Sequence, residues 1–312
     1  MTLEKTIQSL QENEPLSVEA CEKAFDTLIE TENEESGKTF LKLLSEKQET
    51  VEELEGLAKV LRSKMEKVAL KESLLEIGSF QGSSFLTTGV ALLAVGCGEK
   101  IAQWGSVDIL EHFGIPINET PLESFGRAKI ALLHPSNYHL AMKKLEMLLE
   151  GAPPAPLFQL VQPLLNPALP DYLFLHVKEK KHLELYPKVL QKLCIKRAMV
   201  VQNAHMDILS PIEPSAATFV TPDEIIEMAI DPEKLGFQKS SSEALAEEEM
   251  DQKVVQALSE HVGLLSDALI LNAGVALFVT KRAPSIESGI AFAAHAHASG
   301  RGLSALERLR KS

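Results

Sequence analysis

The sequence predicts an α/β protein: a small all-helical N-terminal domain, then a larger domain with a mainly parallel sheet flanked by helices. Three observations carry this expectation. The first 70 residues show helical periodicity and no strand pattern. From Ser73 onward, short apolar runs alternate with helical segments, as strands joined by crossover helices do. A length of 312 residues also suits two domains, taking about 150 residues for each.

The helical part is read in order. Leu3, Ile7 and Leu10 have helical spacing, and the chain breaks at Glu14-Pro15. Ala20, Cys21, Ala24, Phe25 and Leu28 mark one face of a helix over Val18 to Ile29. After the turn at Ser36-Gly37 come a helix over Thr39 to Ser45 and another over Glu49 to Met65. Residues 1–70 are expected to form one domain, joined by helices near 151–195, and 71–312 the other.

In the second part, Leu74 to Ile77 is an apolar run that stops at Gly78, the mark of a buried strand. A loop from Gly78 to Ser84 leads into an apolar helix, Phe85 to Val95, ended by Gly96 and Gly98. Lys100 to Trp104, Lys129 to Leu133, Tyr172 to Val177 and Arg197 to Val201 read as further strands. Helices are expected at Asp108 to Phe113, Leu140 to Glu150 and Leu183 to Leu193. The run from Gly151 to Pro156 is a proline-rich connector. Ser240 to Asp251 is acidic and reads as a solvated loop or helix face. Val254 to Val279 gives two apolar helices around Gly263 and Ser266, followed by helices over Ile286 to Ser299 and Leu303 to Leu309.

Composition narrows the function. Hydrophobic residues at 45% and charged residues at 24% describe an ordinary globular chain. A formal net charge of -13 repels polyanions, so neither nucleic acid nor an anionic membrane is an expected partner. Cys21, Cys97 and Cys194 fit no metal or redox spacing and read as reduced thiols. The N-terminus has no basic segment followed by an apolar core. The apolar stretch Phe85 to Cys97 is too short to span a bilayer, and Val262 to Val279 carries Asp267 and Asn272. A cytoplasmic protein is expected.

Six segments, in order, carry a resemblance. Glu49-Thr50-Val51-Glu52-Glu53-Leu54 is similar to G-E-T-x-E-E-[IL], and Asp108-Ile109-Leu110-Glu111 with Gly114 to A-D-x-L-E-x-L-G. His134-Pro135-Ser136-Asn137-Tyr138-His139 through Met142 is similar to A-P-x-x-H-P-A-M, and Gln162-Pro163-Leu164-Leu165-Asn166-Pro167 to G-P-L-x-N-P. Leu271-Asn272-Ala273-Gly274-Val275-Ala276-Leu277 is similar to L-N-A-[GA]-x-A-L, and Ser288-Gly289 through Leu309 to two closing helices. Together they resemble the anthranilate phosphoribosyltransferase family, whose fold pyrimidine nucleoside phosphorylases share.

The resemblance implies an expected site. Family members hold the donor's pyrophosphate on G-T-G-G-D and N-x-S-T, where glycines and a helix N-terminus let backbone N–H groups reach phosphate oxygens. The matching positions here are Gly78, Ser79, Gly82, Thr87 and Thr88, but the paired glycines, the aspartate and the asparagine are missing. The K-H-G-N-R motif becomes Gln103-Trp104-Gly105-Ser106, which keeps Gly105 and loses both cations, with Lys100 the nearest replacement. An Asp-Glu magnesium pair becomes Asp207-Ile208. The arginine for the aromatic acid falls near Leu149 or Glu150, while His139 matches the family's substrate-tunnel histidine.

The expected substrate-binding residues are therefore Gly78, Ser79, Gly82, Thr87, Thr88, Gly105 and His139, with Asp207 for metal and no catalytic residue assigned. Bland alternatives stand beside them: a strand-to-helix turn capped by Ser84 or Thr87, a packed His139, a loop cap by Asp207 near Ser210, and a core Trp104. His295 and His297, two apart on a helix, point to different faces and make no metal pair. The expectation is a family relative that lacks phosphoribosyl pyrophosphate-dependent catalysis and serves a binding role. The alternative is an active transferase using phosphoribosyl pyrophosphate and Mg2+ on anthranilate or a related aromatic amine. The resemblance implies a homodimer through the N-terminal helices in either case.

Overall fold

The computed structural model describes residues 2–30, 34–80, 84–105, 107–116, 120–149, 156–203, 206–238, 250–260 and 263–311. The helical part comprises α1 (Leu3–Gln11), α2 (Val18–Glu30), α3 (Glu34–Ser45) and α4 (Val51–Lys64). Helix α4 starts where its sequence dictates. The Thr50 hydroxyl accepts from the Glu53 N–H, and the Glu53 carboxylate accepts from the Thr50 N–H, each at 3.2 Å. This reciprocal box satisfies two backbone donors that a helix start otherwise leaves open.

Seven strands follow: β1 (Leu75–Ser79), β2 (Ile101–Trp104), β3 (Ile130–Leu133), β4 (Tyr172–Val177), β5 (Arg197–Gln202), β6 (Ser215–Val220) and β7 (Ile225–Ile230). Between the first strands lie α5 (Phe85–Gly96), α6 (Val107–His112) and α7 (Pro121–Ala128). Then come α8 (Pro135–Tyr138), α9 (Leu140–Leu149), α10 (Pro156–Val161), a 3-10 turn (Gln162–Leu164) and α11 (His182–Lys192). The chain closes with α12 (Met250–Ser259), α13 (Leu264–Val279), α14 (Ile286–Ala298) and α15 (Arg301–Arg310).

The sheet order is β3-β2-β1-β4-β5-β6-β7. The first five strands are parallel, and β6 and β7 add on antiparallel. Alternation along the central strands divides the core. Leu173, Leu175 and Val177 of β4 pack with α1–α4 and α9–α11, while Phe174 joins α5 and α12–α15 on the other face. The N-terminal helices thus share one continuous core with a face of the sheet.

Three sequence expectations change. Gly78 and Ser79 are strand residues, paired with Leu175 and His176, because β1 is central and hydrogen-bonded on its β4 side to its end. The β6–β7 hairpin and α7 were not expected. The connector from Gly151 to Ala155 and most of the acidic segment after Ser240 lie outside the described residues. Among the described residues no single helix is long and apolar enough to cross a membrane.

Candidate functional site

The carboxyl ends of the parallel strands lie at one edge of the sheet, where open α/β folds place ligands. Gly78 and Ser79 end β1 there, and Lys178 follows β4. Gly82, with Gln81 and Ser83, lies outside the described residues. A side chain at Gly78 would meet only Glu76 Oε1 at 3.6 Å, an ordinary contact. The loop is anchored next to it. The Phe80 N–H donates to His176 O at 2.9 Å, and its ring stacks on buried His182, with centroids 5.4 Å apart and planes 19° apart.

Ser84 caps α5. Its hydroxyl accepts from the Thr87 N–H at 3.1 Å, and Thr87 Oγ1 accepts from the Ser84 N–H at 2.8 Å. Thr87 is therefore occupied by its own helix start, as the bland alternative had it. Thr88 is buried and its hydroxyl has no hydrogen-bond partner. It shares a small cleft with Gly105, Ile109 and Leu133. The Gly105 N–H donates to Leu133 O at 3.2 Å, so this backbone donor is also taken.

Asp207 does not cap its own loop at Ser210. Its carboxylate lies near the Ser84 hydroxyl, at the start of α5. Burial makes it a weaker acid than an ordinary aspartate, against the opposing effects of Ser84 and Lys178. Asn272 fixes the loop from α13: its Oδ1 accepts from the Leu209 N–H at 2.8 Å, and its Nδ2 donates to Leu209 O at 2.9 Å and Ala268 O at 2.8 Å.

A magnesium ion fits this arrangement poorly. The neighbouring Ile208 is buried and offers no ligand atom, and burial works against the charged form of the one carboxylate. Among the described residues no cluster of three potential metal-ligating side chains forms. Lys100 gives no phosphate contact at this edge. It precedes β2 at the opposite end of the sheet and pairs with Glu72. Among the described residues, Lys178 is a cation that follows the end of β4.

His139 occupies a separate seat, on the helical side of the sheet. Its Nε2 lies 2.7 Å from Leu165 O, and its ring meets Trp104 edge-on, with centroids 5.3 Å apart and planes 73° apart. A carbonyl only accepts, so Nε2 carries the proton. Burial lowers the ring's basicity and keeps it neutral. Both side chains line a cavity of about 300 Å³, together with Met142, Lys143, Glu146 and Leu165. His297 instead bonds Ala257 O while His295 is exposed, so the two rings do diverge.

Sequence reasoning missed a buried polar cluster beneath this seat. Glu76 of β1 is buried and pushed up to about 8 by desolvation, offset in part by Asn166 and Arg62. Asn166 Nδ2 donates to Glu76 Oε2 at 3.1 Å and to Ala102 O at 3.0 Å. The Arg62 Nε donates to Leu164 O at 2.6 Å. The signal was a glutamate inside the apolar run Leu74 to Ile77.

The sheet order and the helices over both faces describe an open α/β architecture with its strand ends free to line a cleft. The chain belongs to the glycosyl transferase family, a/b domain, whose model matches residues 81–303. Among its relatives is the anthranilate phosphoribosyltransferase of Bacillus cereus (strain B4264), 32% identical over 97% of this chain and 95% of its own. That of Chlamydia felis (strain Fe/C-56) is 28% identical over 98% and 95%. The anthranilate phosphoribosyltransferase of Thermus thermophilus superposes with a TM-score of 0.86, 24% identity and 98% of each chain covered. The Saccharomyces cerevisiae enzyme in complex with phosphoribosyl pyrophosphate and Mg gives 0.84 and 20%, covering 98% of this chain and 96% of that one.

Proposed function

We propose that this chain is an anthranilate phosphoribosyltransferase relative that has given up phosphoribosyl pyrophosphate-dependent catalysis and kept a binding role. The observation that supports it is the reciprocal capping of α5 by Ser84 and Thr87, with the Asp207 carboxylate lying near Ser84. A helix start with partial positive charge is the natural seat for a phosphate. Here it faces a carboxylate from the chain itself, and that carboxylate is the one survivor of the expected metal pair. Gly78, Ser79, Thr87 and Gly105 have strand, cap or backbone partners of their own. Calorimetry with phosphoribosyl pyrophosphate and magnesium tests the reading. No heat from a folded sample is expected, and tight, metal-dependent binding would overturn it.

A second reading keeps the activity. In favour of it stands 32% identity with the Bacillus cereus enzyme over nearly the whole chain. Gly78, Gly82, Thr87, Thr88 and Gly105 would then hold phosphoribosyl pyrophosphate, with Mg2+ on Asp207, for transfer to anthranilate or a related aromatic amine. The same titration separates the two.

In both readings the protein is cytoplasmic. Residues 1–70, joined by helices near 151–195, form a dimerisation unit on a phosphoribosyltransferase-like domain spanning 71–312. Leu140 and Met147, exposed on α9 where it packs beside α2, α3 and α4, support pairing of two copies there. Sedimentation at micromolar concentration is expected to give a dimer. A net charge of -13 stands against a nucleic-acid role.

A further inference from the structure

We infer that the amino-terminal edge of the sheet, around Arg197, is a docking surface for an acidic polypeptide that presents a carboxylate beside apolar side chains. The inference stands apart from the fate of the transferase chemistry. Arg197 opens β5, whereas the candidate site lies past the other end of the strands. The six residues of β5 separate the two, at about 3.3 Å for each residue.

The guanidinium of Arg197 is gripped by two aromatic rings. Its carbon lies 4.7 Å from the centroid of Phe219 and 4.9 Å from that of Phe278, and the rings themselves are 5.2 Å apart. The ring faces attract the cation but accept no conventional hydrogen bond from its N–H groups. Among the described residues, none of these donors meets a carbonyl or a carboxylate. Asp171, whose carbonyl reaches the start of β5, gives its carboxylate to Lys196 at 2.9 Å. Lys281, exposed just beyond the end of α13, also has no ion-pair partner among the described residues.

That pattern runs against the charge of the chain, which has 44 acids for 31 lysines and arginines. Two cations left without an acid at one edge attract a negative group from outside, while the rest of the surface repels it. Such a contrast fixes where and how an acidic partner lands.

The apolar surroundings select the kind of partner. Ile226 lies directly across the ladder from Phe219, on the same face, and is 41% exposed. Tyr172 flanks Arg197 in the ladder on the other side. An arginine among aromatic rings has the make-up of an interface hot spot. The rings already restrain it, so less side-chain freedom is lost on binding. Its planar fork suits a carboxylate, which takes two parallel N–H bonds. A bare inorganic anion would leave Ile226 and the Phe278 ring uncovered, and duplex DNA would set its row of phosphates against a net charge of -13.

Short fluorescein-labelled peptides in which glutamates flank phenylalanine test this by anisotropy. The controls carry glutamine or lysine in place of glutamate. The glutamate peptide is expected to bind wild type at least about tenfold more tightly than the glutamine peptide, and the lysine peptide not at all. Arg197→Gln should weaken it by about tenfold or more. Arg197→Lys keeps the charge but loses the stacked fork, and should recover only part of that loss. Hydrogen exchange on wild type should show peptide-dependent protection around Arg197 and Phe278, which keeps the test intact where a variant folds badly. No binding of the glutamate peptide, equal binding of the glutamine peptide, or unchanged binding by folded Arg197→Gln overturns the inference. So does Arg197-dependent binding of duplex DNA in place of the peptide, or Arg197-dependent self-association, which would give the edge to a second copy. The titration with phosphoribosyl pyrophosphate reads the other end of the strands, so the two proposals fail separately.

Discussion

Asn272 shows how one side chain can set a loop. It lies within the apolar helix α13 and is fully buried, and its amide grips both the N–H and the C=O of Leu209. Those two backbone groups belong to the loop that carries Asp207. Replacing Asn272 with Ala leaves a buried donor and a buried acceptor without partners. The expected loss is about 3 kcal/mol of unfolding free energy, since each such group costs roughly 1–3 kcal/mol. Urea denaturation of the variant checks this, and a loss under about 1 kcal/mol would mean that water replaces the amide. The residue was legible as a motif position but not as a loop clamp, because its partner lies 63 residues away in sequence. His139 was legible in the same partial way. Its spacing marked it out, whereas its tautomer follows from Leu165, which only the fold brings near. Glu76 was overlooked because an acid in a short apolar run leaves the strand pattern intact, while its partners Asn166 and Arg62 come from distant segments.

Among elements, the crossing of α13 and α14 depends on two glycines. A Cβ on Gly289 would lie 2.2 Å from Gly274 O, and one on Gly274 would lie 2.6 Å from the Ile290 N. Backbone meets backbone there, and neither atom belongs to a flexible side chain. Gly289→Ala is therefore expected to force the helices apart and cost about 2 kcal/mol or more, the usual scale of overpacking. Thermal unfolding should show a clear fall in midpoint. A midpoint within a degree of wild type would show that the helices slide without penalty. Both glycines sit in segments whose resemblance to the family was visible, so part of that resemblance records helix packing and not ligand chemistry. The capping box at Thr50 makes the same point for α4. The five parallel strands were legible because burial on both faces leaves continuous apolar runs. The β6–β7 hairpin was not. Its outer strand, Ile225 to Ile230, is apolar yet mostly exposed at the sheet edge, so neither alternation nor burial marks it.

At the scale of the whole molecule, two buried groups pull the stability in opposite directions with pH. Glu76 releases its proton near 8 in the folded chain, against an ordinary value of 4.5. Between those values the folded state holds the extra proton, so this contribution is full below about 4.5 and is lost as pH rises towards 8. His176 behaves the other way. Burial among the strand ends holds it at about 4, against an ordinary 6.5. Its contribution is full above 6.5 and is lost as pH falls towards 4. His139 and His182, both lowered by burial, add to that acid-side loss. Over the shared window from 4.5 to 6.5 the slopes of Glu76 and His176 oppose each other. From 6.5 to 8 Glu76 still titrates and His176 no longer does, so Glu76 contributes a slope of roughly 1.4 kcal/mol per pH unit, or about 2 kcal/mol across that interval. Wild-type unfolding free energy should therefore decline between pH 6.5 and 8. Glu76→Gln mimics the protonated acid and can still accept from Asn166, so it should abolish that decline and leave the histidine-driven loss below 6.5 unopposed. Denaturant titrations at half-unit pH steps would resolve both limbs. If the variant declined above pH 6.5 as steeply as wild type, the proton would belong to some other group, and the buried Glu76–Asn166–Arg62 cluster would have no part in setting the pH response.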